Sequence, residues 1–152
     1  MSYALQAAVE HVVHDYAYLV AAGHDSQKPL SHPFNHYAER TFLTHCRAFA
    51  GFFKGAGDAR DMYAKDFIDM PTTGAPAIWI AWHDHVDKHL AHLSSKRITN
   101  TIPWTGSDNK KILDGFQATW PDFYSKLKPS LKPTFDTEIA KMQKQFPYVP
   151  LT

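Results

Sequence analysis

Apolar residues recur along the chain at steps of three and four. Leu5, Val9, Val12, Tyr16 and Leu19 fall on one face at the helical period, which predicts a helix over residues 3–22. Gly23 is placed to end it, and the polar, proline-broken run 23–32 reads as a loop. A second stripe of Phe34, Ala38, Phe42, Phe49 and Phe52 predicts a helix from about Ser31 to about Lys54. Ser31 is its N-cap candidate, Pro33 suits its first turn, and Gly55 and Gly57 stop it. A shorter helix near 58–68 follows, capped by Asp58, with Met62, Tyr63 and Phe67 facing inward. After a loop at 69–76, Trp79, Trp82, Val86, Leu90 and Leu93 mark a helix over 77–94. A strand at 77–82 is the alternative there, but no partner strand is visible elsewhere in the sequence.

Residues 95–106 read as a connection. Ser107 or Asp108 caps the next helix, with Ile112, Leu113, Phe116, Trp120, Phe123 and Leu127 inward, and Pro121 is expected to kink or split it. Pro129 and Pro133 bracket a loop. Phe135, Ile139, Met142 and Phe146 mark the last helix, about 134–146, closed by Pro147. Five or six helices, each with one apolar stripe to bury, make the fold class all-α: a single-domain antiparallel helical bundle. Its core would span about residues 3–126, with the C-terminal helix packed on it.

Composition narrows the classes. At 152 residues, with 44% hydrophobic and 20% charged residues, the chain has room for one globular domain. A net charge of +1 argues against binding nucleic acid by bulk charge, and no DNA partner is expected, though a local basic patch stays open. One cysteine, Cys46, leaves no intrachain disulfide and no Cys-rich zinc site. No leader-like start and no run near ~18 apolar residues is present, so no membrane partner is expected and a cytoplasmic location is the expectation. No Gly-rich phosphate loop, nucleophile elbow or dinucleotide fingerprint occurs, and no cofactor is called for.

The unusual content is ten histidines together with ten Phe, seven Tyr and four Trp. His85, His89 and His92 are spaced i, i+4, i+7 and border an apolar stripe. They are either polar boundary residues or metal ligands, with His32, His36 or His45 completing a site. Three histidines on one helix diverge along its axis, so no metal is assigned. On the second predicted helix, Arg40 and Arg47 are seven apart and share a face with His36, a basic strip that is either solvated or phosphate-binding. Glu39 and Asp61 are candidate partners for the two arginines. His45 falls between Phe42 and Phe49, where burial lowers a histidine pKa and leaves either a general base or a core histidine. Lys126, Lys128, Lys132, Lys141 and Lys144, with Phe123, Tyr124 and Tyr148, form either a solvated face or an RNA-contacting patch.

The run Asp87-Lys-His-Leu-Ala-His92-Leu-Ser resembles the late-helix motif of HEPN-type helical domains, which include abortive-infection proteins and many bacterial relatives. Arg40-Thr-Phe-Leu-Thr-His45 satisfies the family's arginine–histidine spacing on an earlier helix. The resemblance covers roughly residues 1–126. It implies a compact, often dimeric bundle, in some members a metal-independent ribonuclease in which arginine holds the scissile phosphate and histidine moves the proton of the 2′-hydroxyl. Carried over, His92 is the histidine. The arginine slot holds Val86 or Asp87, and Lys88 is the adjacent cation, a point charge without the guanidinium fork. Arg40, Arg47 or Arg97 would have to supply the missing group.

The expected function is therefore an RNA-directed protein of a defence or toxin–antitoxin setting, a ribonuclease or an inactive RNA-binding relative. His92, His45 and Arg40 would be catalytic. Arg47, Lys88, His89 and Arg97 would bind substrate. The alternatives are a non-enzymatic homodimerisation module and a histidine-rich metal-binding bundle. All site readings rest on one expectation, that the second helix and the 77–94 helix bring imidazole and guanidinium groups to a common hollow.

Overall fold

The computed structural model describes residues 3–29, 34–55, 61–71, 74–90 and 106–151; the side chains of Tyr3, Asn35, Asp84, His85, Asp87, Lys88, His89 and Leu90 are outside the description. In chain order the helices are α1 (Tyr3–Asp25), α2 (Phe34–Lys54), α3 (Ala64–Phe67), α4 (Ala77–Leu90), α5 (Gly106–Ser125) and α6 (Lys132–Gln145). The protein is an all-α helical bundle, and among the described residues no helix is long and apolar enough to cross a membrane.

Side-chain pairings give the helix directions. Tyr16 meets Phe49, and the Gly23 position meets Phe42, so α1 and α2 are antiparallel. Tyr16 stacks on Trp120 at 3.9 Å, and Gly23 abuts Leu113, so α5 is also antiparallel to α1. Tyr18 touches Phe146 at the end of α6, which turns back from α5 and so runs with α1. Trp79 packs on Phe116 and joins α4 to α5.

The core is aromatic. Phe123, fully buried, takes Phe52 and Phe53 of α2 nearly edge-on, at 5.5 and 5.8 Å, and lies 5.9 Å from Phe135 of α6. Edge-on packing places the positive ring edge against the negative face, a gain of roughly 0.5–1.5 kcal/mol per pair beyond the area buried. Trp120 Nε1 donates to Leu151 O at 3.0 Å, which satisfies a buried donor and draws Val149 and Leu151 into the core.

Several local expectations change. Gly23 does not end α1, which continues to Asp25. A Cβ at Gly23 would stand 2.9 Å from both Leu113 and Phe42, so this glycine serves close packing of three helices. Gly55, at φ 65°, does end α2. Phe34, expected inward, is exposed, and so is Met62. The predicted 58–68 helix is reduced to α3, where Asp66 accepts from the Tyr63 backbone N–H at 2.8 Å; Asp58 and Gly57 lie outside the described residues. Pro121 does not split α5, and Pro133 occupies the first turn of α6, where its missing N–H costs nothing. Among the described residues no strand forms. One antiparallel bridge, Ile68 with Leu127, ties the segment after α3 to the α5–α6 turn, with Lys128 N donating to Phe67 O at 2.9 Å. Ser31 and Pro33, Leu93, and the connection over 95–105 lie outside the described residues.

Candidate functional site

Helix α2 carries a cation every seventh residue: Arg40, Arg47 and Lys54. Seven residues are nearly two turns, so the three lie along one line at intervals of about 10 Å. The first two are legible as a strip in the sequence. Lys54 joins them because α2 runs two further turns beyond Arg47 before Gly55 stops it.

Between α2 and α4 lies a cleft of about 750 Å³. Arg47, Lys54 and His83 line it, with Phe53, Trp79 and Ile80 supplying apolar wall. Among its described lining residues there is no carboxylate. Such a cleft attracts an anion bearing an apolar or planar body, because the low-dielectric wall strengthens the pull of the basic rim. Arg40 is exposed on the same line, beyond the end of this cleft.

Sequence spacing does not single out His83, since it falls off the i, i+4, i+7 histidine series. The structure shows its signal: His83 is three and four residues from Ile80 and Trp79, the α4 residues that face α2. Its Nδ1 lies 2.9 Å from Ile80 O. A carbonyl only accepts, so Nδ1 is the donor in that contact.

His45 goes elsewhere. Two positions from Arg47, it projects on the far side of α2, toward α1. Its Nδ1 is 3.8 Å from Asp15 Oδ1, and its ring stacks at 6.0 Å on Tyr18, which in turn meets His14 at 4.4 Å. Burial pushes the His45 pKa below the ordinary histidine value, against the opposing pull of Asp15. Glu39, a candidate partner for the arginines, instead approaches His36 at 3.8 Å.

Of the remaining site residues, Lys88 and His89 are in α4 with side chains outside the description, and His92 and Arg97 lie outside the described residues altogether. Cys46 is fully buried, which pushes its thiol pKa up and keeps it protonated and inert. Among the described residues no group of three His, Cys, Asp or Glu side chains is arranged to hold a metal ion.

A second cleft, of about 630 Å³, opens on the other side of Arg47, between α1, α2 and the approach to α3. Arg47 and Gly51 line both clefts. No protein-family model, curated protein or solved structure matches the chain.

Proposed function

We propose that the protein binds single-stranded RNA in the cleft between α2 and α4. One observation carries the reading: Arg47, Lys54 and His83 line a hollow with an apolar wall and no carboxylate among its described lining residues. A phosphate suits the guanidinium and ammonium groups, and the apolar body of a base suits the exposed Ile80 side chain. The Arg40–Arg47–Lys54 line supports a backbone track, since it spans about 21 Å along α2. The HEPN-like resemblance of residues 87–94 points to the same ligand.

The same groups support cleavage chemistry. His83 Nε2 would accept the 2′-hydroxyl proton. The 2′-oxygen would then attack the adjacent phosphorus, held by Arg47, and the 5′-oxygen would leave with a proton returned to it. The products would be a 2′,3′-cyclic phosphate and a 5′-hydroxyl end. The test is fluorescence anisotropy with a labelled single-stranded RNA, followed by incubation in EDTA and analysis of the ends. Binding that weakens with salt and with Arg47→Ala/Lys54→Ala supports the reading. Cleavage abolished by His83→Ala, with binding retained, adds the enzymatic step. An RNA signal untouched by the double substitution would remove the proposal.

A second reading has its own observation. Phe34 and Tyr37, one helical turn apart on α2, are 63% and 62% exposed. Two such aromatics side by side suit a protein interface, most simply with a second copy of the chain. Sedimentation of the protein and of Phe34→Ser/Tyr37→Ser decides it: a dimer that the double substitution dissociates supports this reading, and a monomer at all concentrations ends it.

A further inference from the structure

We propose that the cleft between α1, α2 and the approach to α3 is a separate ligand site, for a small organic cation with an aromatic or apolar body. The cavity of about 630 Å³ is of the size that encloses small molecules. Its walls are largely apolar, with Val12, Phe49, Phe52 and Tyr63 among them. Among the described lining residues, Asp15 and His11 enter from α1, Asp61 from the segment before α3 and Arg47 from α2, so two carboxylates share the cleft with one guanidinium and one imidazole.

Among the described residues, neither carboxylate makes an ion pair shorter than 3.8 Å. Asp15 Oδ1 stands 3.8 Å from His45 Nδ1 and 4.0 Å from His14 Nδ1, both beyond hydrogen-bonding distance. Asp61 Oδ2 accepts from the Tyr63 hydroxyl at 3.3 Å, which orients the group while leaving its other oxygen and further lone-pair directions to a ligand. The Lys65 ammonium lies 5.3 Å from the Tyr63 ring centroid, a cation–π contact made at this wall. Carboxylates joined to an aromatic wall recognise an ammonium or amidinium group on an apolar body. They disfavour the phosphates proposed for the opposite side of Arg47. This inference does not depend on RNA binding, because it uses the other wall of α2.

The experiment titrates the full-length protein with benzylamine, benzyl alcohol and benzoate, read by calorimetry and by protein amide chemical shifts. Benzylamine is expected to bind saturably, with shifts at residues 11–15 and 61–63. Benzyl alcohol and benzoate, of the same shape, should bind at least about tenfold more weakly. Asp61→Asn preserves shape and removes charge, and should weaken benzylamine by about tenfold; Asp15→Asn should do the same. Circular dichroism of each variant establishes that it is folded. Benzylamine and benzyl alcohol binding equally, an unchanged affinity in a folded Asp61→Asn and Asp15→Asn, or no saturable binding at all would each overturn the proposal. RNA binding, measured separately, is expected to be the same in Asp61→Asn as in the unaltered protein.

Discussion

The two clefts beside Arg47 share a helix and differ in charge. Both take Arg47 and Gly51 from α2, and each takes one of the adjacent phenylalanines, Phe52 on the α1 side and Phe53 on the α4 side. Both phenylalanines rest on the same Phe123 ring. What differs is the opposite wall. From α1 and the approach to α3 come Asp15 and Asp61; from α4 comes His83. The character of each cleft is therefore set by what packs against α2: among the described lining residues, Arg47 stands between a wall that carries two carboxylates and a wall that carries none.

The largest expected effect comes from removing the support common to both sides. Phe123→Ala should cost about 3–5 kcal/mol of stability, because a cavity opens beneath Phe52 and Phe53 together. Denaturant unfolding measures it, and a cost below about 1.5 kcal/mol would show that the two clefts do not share this foundation.

Next comes a pair of opposite signs. Arg47→Ala/Lys54→Ala should weaken RNA by about tenfold to hundredfold and reduce the salt slope by roughly 0.7 for each phosphate that the protein no longer neutralises. Arg47→Ala alone should leave benzylamine binding equal or stronger, since it removes a competing cation. Anisotropy and calorimetry on the same samples test the contrast, and both ligands weakening in parallel would abolish it.

The third effect is on pH. Burial holds His45 below the ordinary histidine value, so the unfolded chain takes up the proton first as pH falls. Stability from this group is complete above about pH 6.5, the unfolded value, and declines as pH falls from there toward the folded value. Thermal melts between about pH 7 and 5 should show a shallower decline in His45→Asn than in the unaltered protein. Equal slopes would mean that the imidazole next to Asp15 is as well solvated folded as unfolded.

The smallest effect is at the ridge itself. A Cβ at Gly51 would meet nothing within 4 Å, so Gly51→Ala should stabilise α2 by roughly 0.5–1 kcal/mol, read as a small rise in melting temperature. A fall would show that one of the clefts needs the bare backbone there.

Much of the scaffold is legible in the sequence. Val9, Tyr16, Leu19, Phe42, Phe49, Phe116, Trp120 and Phe135 lie inside as their spacing requires. Sequence spacing fails where a neighbour from another helix decides the outcome. Gly23 looks like a helix stop until Leu113 and Phe42 are seen against it. Phe34 looks like core, yet at the start of α2 it is 63% exposed. The candidate site divides in the same way. Arg40 and Arg47 share a line on α2, as their interval of seven dictates, whereas His45 is directed to α1 and away from Arg47. Among the described residues His83, off the counted histidine series, is the imidazole that lines the cleft with Arg47.

By itself the sequence determined an all-helical bundle, the residues that fill it and the basic line on α2, because helical periodicity acts over neighbours three, four and seven positions away. Only the tertiary structure decided that His83 shares a cleft with that line, that Arg47 divides two clefts, and that among the described lining residues the carboxylates lie on one side. Those outcomes depend on which helices pack on either side of α2, and contacts between segments distant in sequence leave no period in the sequence to read.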